Sequence, residues 1–426
     1  MILEFFPLFL RLFIKSHMDP HPSISFDNTQ NAFAYKSDKE LSKAHFLFSA
    51  MGKEWLVRLG LKVTPWSFKV GLPIKGLIRK TIFQQFVGGE TLEETATVAK
   101  RLASFGVQTT LDYGAEGGDT SEAGFDHAMD EFIKVINYAG TQPTIPYIGI
   151  KITGLARFSL LEKLDHSVET NAGSLMKRYV QSVESLLPEE KEEWQRVHER
   201  VQRICRAAAQ QNVGVFIDAE ETWIQDPVDV LATLMMEQYN QQKAVVFNTY
   251  QLYRHDRLQF LKDSYEAAAQ RNFILGAKLV RGAYMEKERR RAEAMGYPSP
   301  IQPDKASTDS DYNLAVKFCV DNIDQISLAV ASHNEYSNLY ATQLLIEKKL
   351  PLNHPHVHFS QLYGMSDNIT FNLAQAGCSV SKYLPFGPLA DVIPYLMRRA
   401  QENSSVSGQT GRELALIKKE IKRRKT

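Results

Sequence analysis

Hydrophobic and polar positions change rhythm close to residue 107. Ahead of it, residues 29–106 place apolar side chains at the three-and-four spacing of helices packed by one face. Ser37 with Glu40, and Thr91 with Glu94, have the spacing of capping boxes, and each predicts a helix N-terminus. Pro65, Gly71 and Pro73 break the stretch between them into a loop. Beyond Gly106, short apolar runs rich in β-branched residues alternate with helical segments. Eight runs stand out, at 109–114, 147–153, 213–220, 244–251, 276–284, 326–334, 357–364 and 380–387.

Near-continuous apolar runs separated by helices predict parallel strands covered by those helices. Eight such repeats fit an α/β fold of the (βα)8 TIM-barrel type better than an open doubly wound sheet. The connection from Gly154 to Asn212 is unusually long. Pro188 opens a helix within it that carries Trp194, Val197, Val201 and Ile204 on one face. The chain divides accordingly into an extension at 1–28, a helical region at 29–106, a barrel at 107–403 and a basic tail at 404–426. The extension begins with an apolar run too short to span a bilayer and interrupted by Glu4, Pro7 and Arg11. It also lacks the basic start and small-residue cleavage site of a signal peptide. Met18 opens a conventional polar stretch and reads as an alternative start, so residues 1–17 are expected to stand outside the fold.

Almost every run ends in polar residues: Asp112; Lys151 and Thr153; Asp218 and Glu220; Asn248 and Gln251; Lys278, Arg281 and Tyr284; His333 and Asn334; Gln361; Tyr383. In β/α barrels the chemistry sits at the C-terminal ends of the strands, so this pattern predicts an enzyme site. Lys151, Lys278, Arg281, Arg398 and Arg399 supply cations there, and Tyr284, Tyr363, Tyr383 and Leu362 supply aromatic and apolar surface. Taken alone, Arg398 and Arg399 also read as a solvated helix face. Together with the wall, the cations describe a pocket for a small amino or imino acid held by its carboxylate.

Composition narrows the function classes. The formal net charge of +1 offers no field to recruit nucleic acid. Cys205, Cys319 and Cys378 have no C-x-x-C spacing and read as small buried hydrophobes in a reducing compartment. Neither G-x-G-x-x-G after the first strand nor a P-loop occurs. His354, His356 and His358 lie at the start of the seventh run, away from the strand ends, and predict packing rather than a metal. Two rivals remain open at this point: a metal-dependent hydrolase on the same barrel, and a small-molecule sensor without turnover.

Longer motifs then favour one family. AKLVRGAY at 277–284 with Glu286 and Glu288, and YLPFGPLADVIPYLMRRAQEN at 383–403, resemble the two hallmarks of proline dehydrogenases. DAEE at 218–221, KAST at 305–308, SHNEYS at 332–337 and QLYGM at 361–365 are similar to further family segments, so the resemblance spans roughly residues 30–403. It implies a distorted (βα)8 barrel with non-covalent FAD at the strand ends and a monofunctional enzyme without a fused aldehyde dehydrogenase. The implied reaction oxidises L-proline to 1-pyrroline-5-carboxylate by hydride transfer to the flavin, the first step of proline catabolism to glutamate. Electrons pass on to a membrane quinone.

By resemblance, Lys278 addresses the flavin near its reactive nitrogen, where many relatives have arginine. Arg281, Gly282, Ala283, Ala219, Asn248, Ser332 and His333 match cofactor positions. Lys151, Arg398 and Arg399 match the carboxylate clamp, and Tyr383, Leu362 and Tyr284 the ring wall. Asp218 belongs to the catalytic network and Glu402 orients the arginines. The expected location is cytoplasmic. Residues 418–425, with six bases behind Leu414, Ile417 and Ile421, offer a peripheral contact with the inner face of an anionic membrane.

Overall fold

In the computed structural model the described residues are 24–53, 55, 75–114, 120–166, 175–405 and 409–426, with the side chains of 75, 77, 401–405 and 409–410 excluded. Eight parallel strands close a barrel in chain order. They are β1 (Gln108–Tyr113), β2 (Tyr147–Ile150), β3 (Gly214–Ile217), β4 (Val246–Gln251), β5 (Leu275–Val280), β6 (Ile326–Ala331), β7 (Val357–Leu362) and β8 (Val380–Phe386). Closure runs through β1 and β8, with Thr110 opposite Tyr383 and Leu111 opposite Leu384.

Every predicted run contains a strand, but β2, β3, β5 and β6 stop before polar residues that end their runs. Lys151, Asp218, Arg281 and His333 all follow the last strand residue. Two of these exits lead into single 3-10 turns, Ile152–Gly154 directly past Lys151 and Thr222–Ile224 beyond the 218–221 segment after β3.

The helices that position the site are α1 (Asp38–Met51), α2 (Leu92–Ala103), α3 (Glu122–Gly140), α4 (Pro188–Gln211), α5 (Gln225–Tyr239), α6 (Arg257–Arg271), α7 (Met285–Met295), α8 (Lys305–Asp321), α9 (Glu335–Glu347), α10 (Asp367–Gln375), α11 (Leu389–Ser405) and α12 (Gln409–Lys425). Ser37 caps α1 with the full reciprocal box. Thr91 caps α2, but the Glu94 carboxylate reaches back to the Glu90 N–H instead of the cap. The predicted loop with Pro65, Gly71 and Pro73 lies outside the described residues.

Strand side chains alternate between the helices and the barrel interior. Outward-facing Ile148, Val215, Val246, Ala277, Leu328 and Leu384 build the main core with the inner faces of α3, α4 and α5. Trp194, Val197, Val201 and Ile204 of α4 are all buried in it, as their spacing predicts. The floor of the interior is neutral. Tyr147 stacks on Phe216 at 4.6 Å, and Phe247 and His358 meet it edge-on. His358 bonds the Ser381 hydroxyl at 2.9 Å, and burial pushes its pKa down to about 3, so it is a neutral packing group. Among the described residues no group of three or more His, Cys, Asp or Glu side chains is placed to hold a metal ion.

A second core joins the two ends of the chain to the barrel mouth. Phe33, Leu41, Ala44, Phe48, Leu416 and Ile417 pack with Leu389, Val392 and Leu396 of α11 and with Met365 after β7. This corrects the physical basis of lipid docking by the tail: the apolar face of α12 is occupied by α1. Several of its bases are also engaged, since Arg424 bonds Asp38 at 2.7 Å and Glu420 at 2.8 Å, and Arg423 bonds Glu420 at 2.8 Å. No helix among the described residues is long and apolar enough to cross a membrane.

Candidate active site

The strand ends bring a compact set of charges together above the neutral floor. Asp218, just past β3, sits at its centre. Its Oδ1 accepts from Lys278 Nζ at 2.5 Å, and its Oδ2 accepts from the Tyr383 hydroxyl at 2.6 Å. Lys151, past β2, lies 3.7 Å from Asp218 and 3.6 Å from Asp112. The Lys278 ammonium also stands over the Tyr383 ring at 4.6 Å and the Phe216 ring at 5.1 Å. Gly149 makes this arrangement possible, because a Cβ there would overlap the Tyr383 hydroxyl.

Burial pushes the Asp218 carboxyl up, but the Lys278 and Lys151 charges and the two hydrogen bonds outweigh it and hold the group below its ordinary range. Asp218 is therefore ionised and a weak base. Burial, with Asp112 and Asp218 close by, raises the Tyr383 phenol well above its usual pKa, so the hydroxyl stays protonated as a donor. Glu220, two residues on, differs. Its carboxylate accepts from the Thr153 hydroxyl at 2.6 Å and the Thr153 N–H at 3.2 Å, and burial pushes its pKa up to about 7.

After β5 the chain turns at Gly282, whose φ of 136° is open to glycine and whose missing Cβ leaves room for the Tyr253 ring. Gly282 and Ala283 are exposed there. Arg281 is held on three sides, by Asp309 at 2.8 Å, Ser332 at 2.7 Å and Ser337 at 2.9 Å, over the ring of Tyr312. His333 shares a hydrogen bond with Ser366 at 2.8 Å. Burial, then the nearby Lys382, Arg399 and Arg281 charges, lowers its pKa to about 3 and keeps it neutral. Ala219 is half-buried between Asp218 and Glu220.

The two arginines of α11 diverge, as neighbours on a helix do. The Arg398 guanidinium lies 5.7 Å from the Tyr284 ring centre, beside the β5 exit. Arg399 is buried over Tyr395 and adds positive charge at His333, beside the β6 exit. Leu362 packs at the end of β7 against the second core. The Glu402 side chain lies outside the described residues.

One expected cofactor residue is placed elsewhere. Asn248 points out of the barrel, donates to Asp229 of α5 at 2.9 Å, and is fully buried in the helical layer. Residues of alternate parity line the interior of β4, namely Phe247, Thr249 and Gln251. Gln251 is the amide that reaches the mouth. Its Nε2 donates to the Glu220 carbonyl at 2.9 Å, while its Oε1 is buried without a hydrogen-bond donor from the protein. A buried amide oxygen kept waiting for a donor is a mark of a ligand position. The signal in the sequence was period two counted back from the strand end, obscured because Val246, Phe247 and Tyr250 are all apolar.

Comparison with known proteins shows which family carries this barrel. The family model described as proline dehydrogenase matches residues 95–412. The chain belongs to the proline dehydrogenase family. It is 32% identical to proline dehydrogenase 1, mitochondrial, of Dictyostelium discoideum, a match covering 93% of this chain and 74% of that one. It is also 32% identical to the hydroxyproline dehydrogenase of Bos taurus, covering 96% of each chain. Among solved structures, proline utilization A from Bdellovibrio bacteriovorus, inactivated by N-propargylglycine, matches with a TM-score of 0.66 at 20% identity. That match covers 93% of this chain but only 40% of the larger protein and supports the barrel fold.

The mouth fits a flavin. It offers a partnerless amide acceptor in Gln251, an exposed backbone turn at 282–283, and two anchored cations in Lys278 and Arg281.

Proposed function

We propose that the chain is an FAD-dependent dehydrogenase that oxidises L-proline to 1-pyrroline-5-carboxylate and passes the electrons to a quinone. The observation that carries this reading is the lattice of Lys278, Asp218, Tyr383 and Lys151, a buried set of fixed charges in a mouth that also holds an unanswered amide oxygen. FAD, bound non-covalently, supplies a hydride acceptor. Gln251, Lys278, Arg281, Gly282, Ala283, Ala219, Ser332 and His333 would hold it. The quinone and the location beside a membrane rest on the family resemblance.

On the substrate side, Lys151 and Arg398 bind the carboxylate, with Arg399 completing the field from the other side of α11. Tyr383, Tyr284 and Leu362 wall the ring and exclude water. Holding the substrate in one pose removes rotational freedom before reaction, which can supply several kcal/mol of the barrier. The substrate amine must shed its extra proton before a hydride leaves. Asp218, already saturated with donors, orients Lys278 and Tyr383 rather than taking that proton. Lys278 keeps positive charge where electron density increases.

A second reading, hydroxyproline as the substrate, is favoured by the near-complete coverage of the bovine hydroxyproline dehydrogenase. The two substrates differ by one hydroxyl, which a few contacts distinguish. Anaerobic titration of the purified yellow protein with L-proline, hydroxyproline and D-proline tests both. Bleaching by L-proline first supports the main reading, bleaching by hydroxyproline alone selects the second, and a protein that binds no flavin overturns both.

A further inference from the structure

The loop leaving β7 is gripped by residues from both ends of the chain. Ser366 adopts φ 52° and ψ 42°, a left-handed conformation unusual for a residue with a Cβ. Such conformations persist where the surroundings over-determine them. Here the Ser366 N–H donates to the Glu413 carboxylate of α12, and its hydroxyl shares the hydrogen bond with His333 Nδ1. The next residue, Asp367, accepts from Tyr35 at 2.8 Å and pairs with Lys382 at 2.9 Å and Lys36 at 3.4 Å. Lys382 also donates to the Met365 carbonyl at 2.5 Å. Met365 and Leu362, on either side of the turn, pack into the core built by α1, α11 and α12.

Glu413 is 5% exposed, so its carboxyl has left water to reach a backbone amide in this loop. Burying a carboxylate is costly unless its partners are fixed. Glu413 also falls one residue beyond the span of the family model, and Tyr35 and Lys36 fall far ahead of it. The grip on this loop therefore combines Lys382 and His333, inside the matched span, with Tyr35, Lys36 and Glu413, outside it.

We propose that Glu413 is a positioning residue for the cofactor side of the mouth. By holding the Ser366 backbone it sets the hydroxyl that orients the His333 ring, and it makes α12 a component of the site. The inference rests on the reading of His333 as a residue that faces FAD.

The test measures FAD affinity of the flavin-free full-length chain by fluorescence, with apoprotein melting recorded in parallel. Glu413→Ala is expected to weaken FAD binding about tenfold, the size of one lost buried hydrogen bond. Glu413→Gln, whose amide oxygen can still accept from Ser366, should stay within about threefold of the parent. Ser366→Ala should weaken binding about as much as Glu413→Ala, and the double variant should be no weaker than the weaker single. Unchanged affinity in Glu413→Ala, or losses that add in the double variant, would overturn the proposal. Should Glu413→Ala fail to fold, Ser366→Ala carries the test, and unchanged FAD affinity in that variant overturns the proposal. A parent chain that binds no FAD removes the His333 reading itself, an outcome distinct from a parent that binds and a variant that matches it.

Discussion

The barrel interior has a floor and a mouth, two residues apart from Phe216 to Asp218 and four apart from Tyr147 to Lys151, or roughly 7 to 13 Å along a strand. The floor holds Tyr147, Phe216, Phe247 and a neutral His358 bonded to Ser381. The mouth holds Asp112, Lys151, Asp218 and Lys278, with few polar atoms unmatched. One histidine buried against rings loses its charge, while a carboxylate equally buried keeps its own. Burial alone does not decide ionisation. The difference is the supply of opposite charge within hydrogen-bond reach, and only the strand exits provide it.

The sharpest way to break the contrast is Lys278→Met, which makes the mouth more like the floor. Flavin reduction is expected to slow about a thousandfold, the scale of a removed electrostatic stabiliser. An unchanged rate in stopped-flow reduction would refute the assignment of Lys278. Next is Glu220→Gln. The Glu220 carboxyl titrates near 7 in the folded chain against an ordinary 4.5, so the folded state holds the extra proton between those values. The parent should therefore lose stability relative to the variant as pH rises from about 4.5 to about 7, by up to about 3 kcal/mol. Paired melting curves across that range check the sign. Arg398→Ala should weaken proline binding about thirtyfold, near 2 kcal/mol, with bound flavin retained. Equal loss of both ligands in titration would disprove the carboxylate role. Smallest is His358→Phe on the floor, expected to cost about 1 kcal/mol in melting and leave turnover unaltered.

The strand count was legible because a strand covered by helices must be apolar on its outer face, whatever lies inside. The mouth was legible in kind for a related reason: polar groups cluster where strands stop. Its individual members were less so. Lys278, Asp218, Lys151 and Tyr383 converge as expected, but Asn248 and Gln251 are three apart and cannot share a face. The apolar residues on both faces of β4 hid which one looks inward. The tail at 418–425 was legible as an amphipathic basic helix. Its partner was not, because an apolar stripe does not say whether lipid or α1 covers it.

Gly149 and Tyr383 stand on strands two and eight, separated in the barrel by β1 alone. With the hydroxyl of one occupying the space a Cβ of the other would need, the two positions form a single steric unit. A larger residue at 149 must displace the Tyr383 hydroxyl, and with it a donor to Asp218. Reshaping the pocket at 149 is thus tied to the side chain at 383.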